Sequence, residues 1–214
     1  MDKKKIFKII VIILLIIIVL FLIHTIRNTI IISKLQNAIT DYTNKNNYSF
    51  EQVSNMENGT TMTLNYYQKE QKQAMFMTNG ETKTSMYNNG ERIDTFTEAI
   101  DNKTVKLDSA QAIGINIESS NVLKTDNLWQ TFICSILAKI KNVELNGKAC
   151  YEISNFLSPY FLAGEDKTIH TIDKETGLVM KSVIDNTEKI IEYSFDNVDD
   201  SIFVEPDISE YTLQ

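Results

Sequence analysis

Basic charge is scarce in most of this 214-residue chain. Five of its 21 Lys and Arg, but only one of its 28 Asp and Glu, fall within residues 1–33, so that segment carries +4 and residues 34–214 carry −11. A surface of that sign repels phosphate backbones, which excludes nucleic-acid binding. It equally disfavours loose adhesion to anionic lipid headgroups. Histidine and cysteine are sparse, two of each. His24 borders a long apolar run and His170 sits in Thr-Ile-His-Thr-Ile. Neither has a third ligand nearby in sequence, so no metal and no cofactor is expected. The seven glycines are scattered, and neither a phosphate-cradling glycine loop nor a G-x-S-x-G elbow occurs. No enzymatic activity is expected. Adjacent carboxylates do occur, at Glu165-Asp166 and Asp199-Asp200. In loops such pairs are ordinarily solvated surface.

What the chain has in quantity is aliphatic residues at its beginning. From Ile9 to Ile23 every residue is aliphatic or Phe, and with Ile6, Phe7, Thr25 and Ile26 the stretch suffices to cross a hydrocarbon core of ~30 Å. A soluble helix apolar on every face for that length would be unusual. The run is longer than a signal peptide's, no Ala-x-Ala site follows, and no Cys follows it to accept a lipid. Lys3, Lys4 and Lys5 precede it, and such residues stay on the cytoplasmic side. The expected organisation is a cytoplasmic segment (1–5), a retained single-pass transmembrane helix (6–26) and a cell-membrane location with everything beyond facing outward. Residues 27–47 read as a helix, with Leu35, Ala38, Ile39 and Tyr42 along one face. It is either a free stalk or a first helix packed on the domain that follows.

Residues 48–214 carry short alternating runs between turn signals. Asn-Gly recurs at Asn58, Asn79, Asn89 and Asn146, a dipeptide suited to two-residue hairpins whose central positions both need φ > 0. Strands are predicted over 48–56, 60–69, 73–78, 82–88 and 91–97. Met62, Leu64 and Tyr66 alternate with Thr61, Thr63 and Asn65, the pattern of a sheet buried on one face. A helix is predicted from Asp126, with Trp129, Ile133, Ile136, Leu137 and Ile140 on one face and Lys139 and Lys141 near its C-terminus. Strands follow over 143–145, 149–155, 168–173, 178–185 and 189–197, with Ile202–Glu205 closed by Pro206. The class expected is α+β: a transmembrane helix, then one curled antiparallel sheet covered by helices.

The stretch Thr171-Ile172-Asp173-Lys174-Glu175-Thr176-Gly177-Leu178, then Ile191-Glu192-Tyr193-Ser194-Phe195, then Asp199-Asp200-Ser201-Ile202-Phe203-Val204-Glu205-Pro206, resembles the C-terminal third of the LolA-like lipoprotein carriers. The family pattern is a strand, a D-x-x-T-G-L hairpin, two more strands and a terminal F-x-x-P. The resemblance spans roughly residues 48–206 and implies an unclosed half-barrel whose apolar concavity receives acyl chains. A membrane-anchored chain departs from the soluble carriers, which shuttle between membranes. Relatives include envelope-stress and spore-germination proteins, and the abundance of Asn, Lys and Ile is typical of AT-rich bacterial genomes.

The candidate ligand-lining residues are Met62, Leu64, Tyr66, Met75, Phe76, Met77, Met86, Trp129 and Met180, since methionine adapts to irregular apolar ligands. Ordinary core packing is the alternative for them. Cys134 and Cys150 either form a disulfide tying helix to sheet or are two buried thiols. The partners expected are the membrane, a lipid or lipoprotein acyl chain, or, on the competing reading, an envelope protein recognised by a sensory or interaction domain with no small ligand. Asn47-Tyr48-Ser49, Asn58-Gly59-Thr60 and Asn102-Lys103-Thr104 match glycosylation acceptors by chance.

Overall fold

The computed structural model of the protein describes residues 3–57, 59–109, 113–115, 117, 121–162 and 168–214. Asn58 and the Glu165-Asp166 pair lie outside them.

One unbroken helix, α1 (Lys3–Thr43), runs through the apolar stretch and beyond it. Its 41 residues extend ~60 Å at 1.5 Å per residue, twice what a hydrocarbon core requires. The side chains from Ile9 to Ile23 are exposed, as a lipid-facing segment would be. The character then changes within a turn. Thr25, Asn28 and Ile32 are buried, as are Leu35 and Ile39, three and seven residues further on. Residues beyond the apolar run therefore pack as the domain's first helix and are not a free stalk.

Strands follow in two meanders. The first comprises β1 (Asn47–Asn55), β2 (Thr61–Lys69), β3 (Lys72–Asn79), β4 (Thr82–Asn88), β5 (Arg92–Ala99) and β6 (Asn102–Ser109). The second comprises β7 (Lys139–Leu145), β8 (Lys148–Ser154), β9 (Thr168–Asp173), β10 (Val179–Ile184) and β11 (Thr187–Phe195). A short β12 (Thr212–Leu213) adds at one end. They make one sheet in the order β12-β6-β5-β4-β3-β2-β1-β11-β10-β9-β8-β7. All pairs are antiparallel except β12 with β6. The two meanders join where β1 lies along β11, with Phe50 opposite Tyr193 and Gln52 opposite Ile191. The sheet is curled and unclosed, so the α+β class holds.

The predicted helix from Asp126 is cut short. Asn127, not Asp126, caps α2 (Leu128–Cys134), its side chain accepting from Gln130 N. The backbone beyond Ser135 turns, and Lys139, Ile140 and Lys141 belong to β7. Ile140 lies opposite Ile153 of β8, so sheet pairing overrides the helical spacing of the apolar run. Strand β6 was not foreseen. Among the Asn-Gly pairs described in full, those at Asn79, Asn89 and Asn146, the last alone has both residues at positive φ, Asn146 at +53° and Gly147 at +75°. Other two-residue turns use Glu70 or Asp185 in the left-handed region. The segment Ile202–Glu205 begins as a 3-10 turn (Asp200–Phe203), not a strand.

The concave side of the sheet holds the main core. Ile32 and Leu35 pack with Ile153, Ile172, Val179, Phe156 and Phe161. Further along α1, Ile39 packs with Tyr48, Phe50, Tyr66, Ile93 and Leu178. Helix α1 covers only part of this face, and Ile113, Ile117 and Leu123 cover more of it. On the convex side Ala74, Tyr87, Phe96 and Val105 receive Ile202, Phe203 and Tyr211 from the C-terminal segment. The F-x-x-P ending is thus a strap across the back of the sheet.

The D-x-x-T-G-L hairpin has a physical explanation. Asp173 accepts from Glu175 N at 3.0 Å and from Thr176 Oγ1 at 3.1 Å, closing the loop on itself. Gly177, at φ +70°, lies directly against α1, where a Cβ would meet the Leu35 carbonyl and approach Ile39 N to 2.9 Å. Only glycine gives both the backbone angle and the space.

Candidate functional site

The concave rows of β1, β2, β10 and β11 leave room that the core does not fill. A cavity of about 320 Å3 lies among Phe50, Leu64, Val179, Ile191 and Tyr193 from the sheet, with Ile115, Val122 and Tyr160 closing it from above. Toward the hairpin ends it meets an open cleft of about 630 Å3 between Ser54, Met56, Glu57, Met62, Asp185 and Thr187. Ile184 and Lys189 border both. The inner space is lined mainly by apolar side chains, with Gln52, His170, Ser182 and Lys189 among them, and the outer cleft adds Glu57 and Asp185.

Two polar groups of the inner cavity, His170 and Ser182, are paired with each other. His170 Nε2 lies 3.1 Å from the Phe161 carbonyl, which can only accept, so that nitrogen carries the proton. Nδ1 then accepts from Ser182 Oγ at 2.7 Å. Burial pushes the imidazole below its usual range, and the Lys189 charge adds to this, so His170 is neutral. With both nitrogens engaged it is a structural strand residue, in keeping with the sequence. At the other end a chain of side chains closes the face. Tyr48 and Tyr66 hydroxyls donate to Gln68 Oε1 at 3.0 Å each, Gln73 Nε2 donates to Tyr66 at 2.9 Å, and Asn88 donates to Gln73 at 3.0 Å. Burial raises both tyrosine pKa values, so they stay protonated. Among the described residues no group of three metal-ligating side chains occurs.

The nine sequence candidates disperse. Leu64 lines the cavity and Met62 the cleft. Tyr66, Met75 and Met86 belong to the adjoining core, in one register across β2, β3 and β4. Met77 is half-buried opposite Leu64. Phe76 does not line the cavity: it is on the convex face, edge-on to Tyr67 and Tyr87. Trp129 does not either, lying exposed on α2. Met180 is buried at a β-bulge between Val179 and Lys181. Cys134 and Cys150 are separate free thiols, both buried, so the disulfide is not formed. Asp199 caps the 3-10 turn and Asp200 pairs with Lys69 at 2.7 Å, which leaves that carboxylate pair a surface role. Sequence reasoning missed Lys189, Ile191 and Tyr193, although their alternation along one strand was visible. Nothing local marked Ile115, Val122 or Tyr160.

No family model and no curated protein sequence matches the chain. Solved structures that the chain matches distantly include a DUF1329 family protein from Desulfovibrio piger, at 9% identity and a TM-score of 0.30, covering 85% of this chain and 97% of that one. That likeness is too distant to bear on function.

Proposed function

We propose that this is a non-enzymatic envelope module, held in the cell membrane by residues 6–26 with its N-terminus cytoplasmic, which accepts an acyl chain in the concave cavity. The cavity carries the reading. Its 320 Å3 falls at the lower end of ligand pockets, roughly 300–1,000 Å3, a size suited to one chain rather than two. The mixed-charge rim of Lys189, Glu57 and Asp185 suits a zwitterionic or hydrogen-bonding headgroup better than a strongly anionic one. The LolA-like resemblance points the same way. The basic residues before the apolar run, Lys3 to Lys5 and Lys8, favour the outward orientation.

The test uses the full chain in nanodiscs offered a fluorescent single-chain amphiphile, beside a Leu64→Trp variant that fills the cavity. Saturable one-to-one binding to the parent, lost in the variant, is the expected result. Equal uptake by both would mean that only the bilayer takes up the probe, and the acyl-chain reading would fall. A reporter fused after Gln214 tests sidedness, and activity confined to the cytoplasm refutes it.

A further inference from the structure

A second apolar surface lies outside the cavity. Helix α2 turns its small or polar residues inward, with Thr131, Cys134 and Ser135 buried, while Trp129 is 70% exposed and Leu128 67%. Ile133 and Leu137 continue the exposed row. A surface helix of a water-soluble domain has the opposite arrangement. Between α2 and α1 runs a groove of about 410 Å3, lined by Ile26, Thr29, Ile30, Leu128, Trp129 and Phe132.

The position of this groove identifies its surroundings. Helix α1 is unbroken, so Ile26 ends the span and Ile30 stands one turn, ~6 Å, beyond it. The headgroup zone on each side of a bilayer is about that deep. No linker separates span from domain. Asn28 Nδ2 donates to the Ala138 carbonyl at 2.7 Å, and His24 Nε2 lies 3.2 Å from the same oxygen. This clamp fixes the segment that follows α2 onto the helix where it leaves the membrane. Tryptophan favours that depth, its ring apolar and its N–H wet.

We infer that the outer face of α2, together with Ile26 and Ile30, is immersed in the headgroup–acyl boundary of the leaflet from which α1 emerges. The domain is thereby seated on the lipid surface in addition to being tethered to it. This rests on α1 spanning the membrane, and the occupant of the groove is lipid of that same bilayer. The overall negative charge of the domain does not oppose the seat, because the apolar row and not electrostatics supplies the contact.

Trp129 is the single tryptophan, so its fluorescence reports this surface alone. The full chain is reconstituted into phosphatidylcholine vesicles, with and without lipids brominated near the top of the acyl chain, and exposed to acrylamide. The expected result is quenching by the bromolipid and several-fold protection from acrylamide, with protection lost in Leu128→Asp/Ile133→Asp. Extraction by alkaline carbonate is measured in parallel. If the chain resists extraction but Trp129 is quenched freely by acrylamide, the anchor stands and the seat is refuted. If carbonate extracts the chain, the anchor fails and the seat with it. Protection that disappears as protein is diluted into excess lipid would assign the groove to a second copy, overturning the inference.

Discussion

Replacing Gly177 by alanine tests whether α1 is part of the domain's core. Two costs add. The residue sits at φ +70°, a conformation that disfavours an L side chain by roughly 1–2 kcal/mol. The new Cβ also meets the Leu35 carbonyl and lies 2.9 Å from Ile39 N, both backbone atoms that cannot rotate away. Forcing a helix off a packed sheet costs about 1–3 kcal/mol. The total is ~2–5 kcal/mol, a large fraction of an ordinary domain's stability. Gly147→Ala is the control: its φ is +75°, but nothing lies within 4 Å of its Cβ position. The pair, compared by denaturant unfolding in detergent micelles, isolates the helix contact. Gly177→Ala is expected to exceed Gly147→Ala by about 1–3 kcal/mol. Equal losses would mean that α1 does not press on the hairpin and that residues 27–43 are a detached stalk.

The C-terminal strap offers a pH readout. Glu205 is raised above the usual glutamate value by burial and then by the hydrogen bond and charge of Asp94, with Arg92 opposing. Because the folded state holds that proton more tightly, its contribution is full below the unfolded pKa and is lost as pH rises through the folded one. Glu205→Gln should therefore flatten the decline in stability on going from acidic to neutral pH, followed by thermal melts across that window; an unchanged profile refutes the raised Glu205 pKa. Asn28→Ala removes donors to two carbonyls, Ser135 and Ala138. It should cost roughly 1–3 kcal/mol in unfolding free energy, and a loss under about 0.5 kcal/mol would show that this clamp on α1 is idle. Cys150→Ser places a hydroxyl at a fully buried thiol and is expected to destabilise by about 1–3 kcal/mol, whereas added reductant should leave the parent's melting temperature unchanged, since no bond joins the cysteines.

The sheet was legible because its strands alternate. Met62, Leu64 and Tyr66 against Thr61, Thr63 and Asn65 declare a face without any tertiary knowledge. Strand β6 escaped because Asn102–Ser109 places only Val105 and Leu107 among polar residues, and its partner β5 supplies the reason to pair. The run from Ile133 to Ile140 satisfies a helical period, yet Ile140 answers to Ile153 across the sheet. Register between strands is a long-range property that a local window does not contain. The cavity failed to show for the same reason: Leu64, Ile115, Tyr160 and Ile191 meet only once the sheet has curled. Composition misled at Phe76, whose neighbours Met75 and Met77 share the other face, because alternation assigns sides and hydrophobicity does not.

The apolar run and the domain cannot be separated at the boundary that hydropathy suggests. Ile32 and Ile39 are almost fully buried against opposite halves of the concave core, and each such side chain contributes about 1.5–3 kcal/mol by leaving water. Asn28, four residues earlier, holds the turn after α2, and Gly177 receives the backbone between Leu35 and Ile39. A chain cut after the apolar run at residue 33 would lose Ile32 and the clamp together, leaving apolar surface of Ile153 and Ile172 uncovered. The apolar run and the residues that complete the sheet are thus successive turns of one helix. A domain built this way does not part intact from the apolar run, so on the proposed reading, in which that run is the anchor, retention and not carriage between membranes is the mode of action that fits.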